Sequence, residues 1–155
     1  MFNWVESEAG IELTMAATLE NIDQADERLA AFIDRHKVPV DGFAIRILLR
    51  ESLLNAVTHG SGLKAERAVR MYCTKEPSQL VLRVEDEGAG FDWRAQGHEF
   101  DVMGDGGRGV AIMHMYSDDI TFNESGNCIT LRRRFTDVQD KTGSTAKLAV
   151  SGESS

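Results

Sequence analysis

The chain has few residues that could stabilise a fold by disulfides or by restricting the backbone, since it contains only two cysteines and two prolines among 155 residues. Cys73 and Cys128 lie far apart, form no C-x-x-C pair and belong to no group of metal ligands. This pattern excludes a disulfide scaffold and predicts two buried free thiols in a reducing compartment. No apolar run approaches the roughly 20 residues that cross a bilayer, and the N-terminus lacks a signal-peptide pattern. We therefore expect a cytoplasmic protein without a membrane segment.

Positive charge is also scarce, because 17 basic side chains face 25 acidic ones and leave a formal charge of −8. Such a surface repels nucleic-acid backbones and anionic lipid, so neither is expected as a partner. Binding of a small anionic ligand is not excluded, because backbone N–H groups at a helix N-terminus bind phosphate whatever the net charge of the protein.

The composition is that of a folded protein, with 42% hydrophobic and 27% charged residues. A chain of this length buries about 70% of its unfolded surface, enough for one core. We predict one domain over residues 1–135 and a polar, disordered tail over 136–155.

Hydrophobic spacing predicts an α/β (α+β) fold in the order β-α-α-β-β-loop-α-β-β. This order favours a two-layer α/β sandwich with its helices on one face of a mixed sheet. The predicted strands are 11–15, 68–74, 80–85, 120–122 and 129–135. The predicted helices begin at Asn21, with Asn21 or Asp23 as cap, at Asp41, ending near His59, and at Gly109.

Three polar residues interrupt the second, otherwise apolar helix. Glu51, Asn55 and His59 follow at i, i+4 and i+8, which places them on one face. The pattern fits a solvated stripe as well as a functional site, although the amide oxygen of Asn55 is a suitable ligand for Mg²⁺.

Glycine is concentrated rather than scattered, and half of the 14 glycines lie between positions 88 and 109. Asp86-Glu87-Gly88-Ala89-Gly90 follows a predicted strand, where an Asp can accept from an exocyclic amine and the glycines let a flat ligand approach. Taken alone, it is also an ordinary acidic turn.

The second glycine group, from Gly104 to Gly109, matches G-x-G-x-x-G at the start of a helix. A dinucleotide-binding motif needs a strand immediately before it, and residues 91–103 are not strand-like, so we reject that interpretation. What remains is a glycine-rich segment whose N–H groups could hold phosphates.

These three segments, in this order, resemble the N, G1 and G2 boxes of the GHKL (histidine kinase-like) ATPase superfamily. The form Glu51-x-x-x-Asn55-Ala-x-x-His59-Gly60 is most similar to the anti-sigma factor serine/threonine-protein kinases. The resemblance extends from about Ile11 to Phe135.

The resemblance implies a Bergerat-type ATP-binding fold with ATP/ADP and Mg²⁺ as cofactors. It implies that Asp86 binds the adenine amino group, that Gly88 and Gly90 make room for the base, and that Thr130 lies under it. A lid would cover the nucleotide over residues 91–106.

At the phosphate end, the resemblance implies that Asn55 coordinates Mg²⁺ and that Glu51 is the general base. The phosphates would be held by backbone N–H groups of the second glycine segment, namely Gly106, Gly107, Arg108 and Gly109.

The implied function is an ATP-dependent kinase and anti-sigma factor of a bacterial partner-switching system. Its substrate would be a STAS-domain antagonist, and its second partner a sigma factor or another output protein. A homodimer is a further expectation, since members of the family commonly dimerise.

Two departures keep an alternative open. Asp105 stands where the best-known anti-sigma kinases have an arginine, and Gly126-Asn127 replaces a common Gly-Thr pair. The first favours a nucleotide-binding regulatory module that sequesters a partner without phosphotransfer. A detached histidine-kinase catalytic domain and an ATP-hydrolysing clamp are less favoured, since both work with further domains.

Overall fold

A computed structural model describes residues 1–62, 64–88 and 105–136, with only the backbone for 105–107. These ranges contain six strands, three α-helices and one π-helical turn. The strands are β1 Phe2–Ser7, β2 Gly10–Ala16, β3 Ala68–Lys75, β4 Gln79–Asp86, β5 Asp119–Phe122 and β6 Cys128–Arg134. The helices are α1 Leu19–Arg35, α2 Gly42–Asn55 and α3 Asp105–Tyr116, and the π-helical turn is Ala56–Gly60.

The strands form one sheet in the order β1-β2-β3-β4-β6-β5, and each of its pairings is antiparallel. The prediction of a mixed sheet was therefore wrong in this detail. Strands β4 and β5 do run parallel, with α3 between them in the chain, but β6 lies between them in the sheet. No two parallel strands are neighbours within the described residues.

The sheet is apolar on one face only. Strand residues alternate between faces, and the buried set runs in register across the sheet, as in the row Leu13, Met71, Val84 and Ile129. The helices supply the other half of the same core through buried residues such as Leu29 in α1 and Leu48 in α2. The predicted two-layer α/β sandwich with helices on one face is confirmed.

The N-terminal elements differ from the prediction at their ends. Strand β1, which pairs with β2, was not predicted, although Phe2, Trp4 and Glu6 alternate with exposed residues. Helix α1 begins two residues before Asn21 and is capped by Thr18, whose hydroxyl accepts from the Asn21 N–H at 3.3 Å. The amide of Asn21 instead donates to backbone carbonyls near the end of β2.

Helix α2 begins as predicted, because the Asp41 carboxylate accepts from the Ala44 N–H at 3.2 Å. An ion-pair cluster fixes α2 against α1. Asp26 of α1, 8% exposed, accepts hydrogen bonds from Arg46 at 2.7 and 3.1 Å and from Arg50 at 3.2 Å. The helix that carries the polar stripe is thereby held in one orientation.

Helix α3 begins at Asp105, four residues earlier than predicted. The glycine segment is therefore not a loop in front of the helix over these positions but its first turns. This changes what each of its N–H groups can do, as described below.

The two thiols differ in environment. Cys73 is buried and free, and burial raises its pKa to about 12. Cys128 is free but only half-buried, on the opposite face of the sheet from Ile129.

No helix within the described ranges is both long and apolar enough to cross a membrane. Of the predicted tail, only Thr136 is described, and its N–H and hydroxyl both donate to the Pro39 carbonyl, at 2.7 and 2.9 Å. The prediction for residues 137–155 lies outside the described residues.

Candidate functional site

The polar stripe of α2 opens into a cleft between α2 and α3. The cleft has a volume of about 300 Å³. All three stripe residues reach it, as the i, i+4, i+8 spacing predicted, together with two residues of the second glycine segment. Its walls include Glu51, Leu54, Asn55, Thr58, His59, Arg108, Gly109 and Ile112.

Gly109 brings α3 close to the polar stripe of α2. A Cβ at this position would lie 3.1 Å from Glu51 Oε1 and 3.5 Å from Asn55 Oδ1. Even an alanine here would require the Glu51 carboxylate to shift by a few tenths of an ångström, whereas its contact with Asn55 would be an ordinary one. As the fifth residue of α3, Gly109 directs its N–H to the carbonyl four residues earlier. The structure thus supports close packing by Gly109 rather than a phosphate contact through its N–H group.

Glu51 is the acidic group of this cleft. Burial raises the pKa of its carboxyl, and the positive charge of Arg50 offsets part of that rise. A carboxylate with a raised pKa and an open side toward the cleft has the properties of a general base.

The π-helical turn links this cleft to the end of β4. A π-helical turn holds its backbone on a wider ring than an α-helix and often marks a functional site. Here it brings Gly60 against the side chain of Asp86, so that a Cβ on Gly60 would lie 2.2 Å from Asp86 Cγ. Gly88 then lies against Gly60, and a Cβ on Gly88 would be 1.9 Å from the Gly60 carbonyl oxygen. Glycine is required at both positions.

The carboxylate of Asp86 is oriented by the turn that follows it. The Gly88 N–H donates to Asp86 Oδ1 at 2.7 Å, which leaves Oδ2 for another donor. Burial raises the pKa of this carboxyl, and the Gly88 N–H and the charge of Arg67 counter that rise. Asp86 is thus a half-buried, oriented acceptor, suited to an exocyclic amine.

Beside Asp86 lies a cavity of about 20 Å³, room for about one water molecule. It includes residues that the sequence interpretation did not assign to the site, above all Ser52 and Asn127. The signal for Asn127 was available, since it occupies the second position of the Gly-Thr pair noted as a departure. The described walls are Ser52, Asn55, Ala56, Val84, Asp86, Phe122, Gly126, Asn127, Cys128 and Ile129.

Thr130 does not join the site. It pairs across the sheet with Arg83 and Thr121, on the face opposite to Ile129 and Leu131. Asp86 points the other way, toward Gly60. The expectation that Thr130 lies under a base bound to Asp86 is wrong because a strand turns successive side chains to opposite faces.

The remaining predicted residues fall at the start of α3 or beyond the described ranges. The N–H groups in the first turn of a helix have no intrahelical acceptor, and residues 105–107 hold those positions. The first-turn positions of Gly106 and Gly107 are compatible with N–H donation to phosphate, which stays a prediction. Arg108 lies in the cleft wall, whereas Gly90 and the predicted lid over 91–106 lie outside the described residues except at the start of α3.

Residues 1–62, 64–88 and 105–136 contain no group of three or more His, Cys, Asp or Glu side chains that could hold a metal ion. An ion at Asn55 would therefore rely on ligands other than such a cluster. Mg²⁺ bound with a nucleotide fits this condition, because it keeps waters and takes most of its remaining ligands from phosphates.

Comparison with known proteins identifies the family. No curated protein matches the chain. The family model described as "Histidine kinase-like ATPase domain" matches residues 15–133, which include α1, α2, α3 and every described site residue. The match covers well over half of the chain. The chain therefore belongs to the family of histidine kinase-like ATPase domains, whose members bind ATP.

Proposed function

We propose that the protein is an ATP-dependent serine/threonine-protein kinase and anti-sigma factor of a partner-switching system. The observation that carries the proposal is the convergence of Glu51, Asn55 and Gly109 in one cleft. Phosphoryl transfer to a hydroxyl uses a base, a magnesium ion and donors that hold the phosphates, and this cleft offers candidates for holding each of them.

The residues at the end of β4 fit an adenine base in their chemistry. Asp86 offers an oriented acceptor, and the absence of side chains at Gly60 and Gly88 lets the π-helical turn and the turn after β4 pack against it. A purine is larger than the cavity of about 20 Å³, so this cavity would form only part of the base site.

The cleft of about 300 Å³ fits the phosphate end. Asn55 would hold Mg²⁺ through its amide oxygen, and the first-turn N–H groups of α3 would donate to phosphate oxygens. When bound, ATP supplies the phosphoryl group and Mg²⁺ neutralises charge on its oxygens.

Glu51 would accept the proton of the attacking hydroxyl. The bond between the serine oxygen and the terminal phosphorus forms, the bond from that phosphorus to the ADP oxygen breaks, and the hydroxyl proton passes to the carboxylate. Burial raises the pKa of Glu51, which makes its ionised carboxylate a stronger base. Such positioning is worth about 10²–10⁴-fold in rate.

The expected substrate is a STAS-domain antagonist, and the expected second partner is a sigma factor or another output protein. To test this, γ-labelled ATP and Mg²⁺ are incubated with the protein and each candidate STAS protein, and Glu51→Gln serves as the matched control. We expect label on a serine or threonine with the unaltered protein and none with the variant.

The alternative is a nucleotide-binding module that sequesters its partner without phosphotransfer. Asp105 favours it, since an acidic residue replaces the arginine that reaches the terminal phosphate in the best-known relatives. In the same experiment, a tight ATP-dependent complex that never acquires label would support this alternative and exclude the kinase.

A further inference from the structure

Asn127 occupies the end of the short turn between β5 and β6, beside the segment that begins with Asp86. The turn closes through Gly126, whose φ of +83° lies in the left-handed region. Asn127 is half-buried and contributes to the small cavity next to Asp86. Nothing in the phosphate-transfer chemistry requires an amide at this position.

The side chain of Asn127 contacts both ends of the segment from Asp86 to Gly88. Its Nδ2 lies 3.4 Å from the Asp86 carbonyl oxygen and 3.4 Å from the Gly88 carbonyl oxygen. The backbone of Asn127 adds a third contact, because its carbonyl accepts from the Asp86 N–H at 3.0 Å.

The other half of the amide is anchored within its own turn. Oδ1 of Asn127 accepts from Asn123 Nδ2 at 2.6 Å and from Ser125 Oγ at 2.9 Å. With Oδ1 toward two donors and Nδ2 toward two carbonyls, this orientation of the amide uses both of its halves. The β5–β6 turn thus holds the Asp86–Gly88 segment through one side chain.

We propose that Asn127 is a positioning residue that sets the specificity of the base site. The Gly88 N–H orients the Asp86 carboxylate at 2.7 Å, and Asn127 fixes where Gly88 lies. The step from orientation to base selection rests on the proposed function, in which Asp86 selects adenine by its exocyclic amine.

Two variants test the contacts of the amide oxygen and the amide nitrogen of Asn127. Asn127→Asp keeps the size of the side chain and the acceptor for Asn123 and Ser125, but it turns an oxygen toward the two carbonyls. Asn127→Ala removes both halves. The matched control is Ser125→Ala, which removes one donor to Oδ1 and leaves the contacts of Nδ2 unchanged.

The first measurement uses the protein without nucleotide. Hydrogen exchange of the Gly88 amide, followed by NMR, reports its bond to Asp86. We expect exchange about 5- to 10-fold faster in both Asn127 variants and within about twofold of the unaltered protein in Ser125→Ala, as for the loss of one net hydrogen bond. Unchanged exchange in both Asn127 variants would overturn the positioning role, whether or not ATP binds.

The second measurement compares dissociation constants for ATP and ITP, which lacks the exocyclic amine. We expect the preference for ATP over ITP to fall about 5-fold or more in Asn127→Asp and Asn127→Ala. Both variants should still bind ADP more tightly than AMP, because that difference depends on the phosphate end of the site. A lower melting temperature with an unchanged ATP/ITP ratio would reduce Asn127 to a structural residue and overturn the specificity. If the unaltered protein binds ATP and ITP equally, base selection by Asp86 fails as well, and the specificity inference falls with it.

Discussion

At the scale of single residues, the two acidic groups of the site share one physical property. Burial raises the pKa of both Glu51 and Asp86, although their neighbours differ. Asp86 is fixed by the Gly88 N–H, whereas Glu51 faces an open cleft. A fixed acceptor is suited to recognition and a free carboxylate to proton transfer, so the two predictions below separate binding from chemistry.

Asp86→Asn is expected to weaken ATP binding by about 10- to 100-fold, as for loss of a hydrogen bond to a charged group. One amide oxygen cannot serve both the Gly88 N–H and an exocyclic amine in the present geometry. Calorimetry with ATP and Mg²⁺ measures the change. Glu85→Gln is the matched control, because it removes a neighbouring charge from the opposite face of β4, and unchanged affinity in Asp86→Asn would refute the site assignment.

Glu51→Gln is expected to retain ATP binding and to lower phosphotransfer by about 10²–10⁴-fold. The rate of the unaltered protein should fall as pH drops through the raised pKa of Glu51, because the protonated carboxyl cannot accept the hydroxyl proton. Label transfer measured across pH tests both statements. A variant with normal transfer would remove Glu51 from the mechanism.

The same substitution has a consequence for stability. Because the folded-state pKa of Glu51 is above 4.5, the folded protein holds this proton more tightly than the unfolded chain, and stability falls as pH rises between those two values. Glu51→Gln should therefore raise the melting temperature at pH 7, and this gain should shrink below pH 4.5. Thermal unfolding at several pH values checks it, and a lower melting temperature at pH 7 would contradict it.

At the scale of elements, the site depends on how closely two helices and one strand end approach. At its fifth residue, α3 approaches α2 closely because Gly109 lacks a side chain, and the π-helical turn reaches Asp86 because Gly60 also lacks one. Close approach of backbones, rather than turn flexibility, explains why glycine stands at these positions.

Gly109→Ala is expected to preserve ATP binding at the base end and to lower phosphotransfer about 10-fold or more. Its Cβ would lie 3.1 Å from Glu51 Oε1, so that carboxylate would have to shift by a few tenths of an ångström, and a small misplacement lowers a catalytic rate. Steady-state kinetics and calorimetry separate the two effects. Gly42→Ala, where an added Cβ meets nothing within 4 Å, is the matched control, and equal behaviour of the two variants would contradict the packing role.

At the scale of the whole molecule, the helix that lines the cleft is fixed to α1 by the ion pairs of Asp26. Burial disfavours the charge of Asp26, but the hydrogen bonds and charges of Arg46 and Arg50 outweigh it and lower its pKa below 3.8. This carboxylate thus stabilises the fold above pH 3.8, and that contribution is lost as pH falls through its lower folded-state pKa.

Asp26→Asn is expected to lower the free energy of unfolding by about 1–3 kcal/mol at pH 7. The larger losses of unfolding free energy that follow the breaking of a fully buried ion pair are not expected here, because both arginine partners are 46% exposed and stay hydrated. Denaturant unfolding measures the difference, with Asp23→Asn as the control, since that carboxylate is 68% exposed. Equal effects of the two substitutions would contradict the claim.

Local sequence patterns are enough to predict the polar stripe, the acidic strand end and the order of the elements from β2 onward. These follow from local periodicity and capping, as the Asp41 cap and the stripe of Glu51, Asn55 and His59 show. Helix α3 was placed late because glycines weaken a helical pattern, even though the first turn already begins at Asp105.

Which residues far apart in the sequence come into contact is visible only in the folded structure. The register of β6 against β4 pairs Thr130 with Arg83 on the face away from Asp86, and the β5–β6 turn brings Asn127 to Asp86. Strand order and the approach of Gly60 and Gly109 to acidic groups depend on contacts between residues about 25 to 60 positions apart. Such contacts are set by core packing, which leaves no local pattern in the chain.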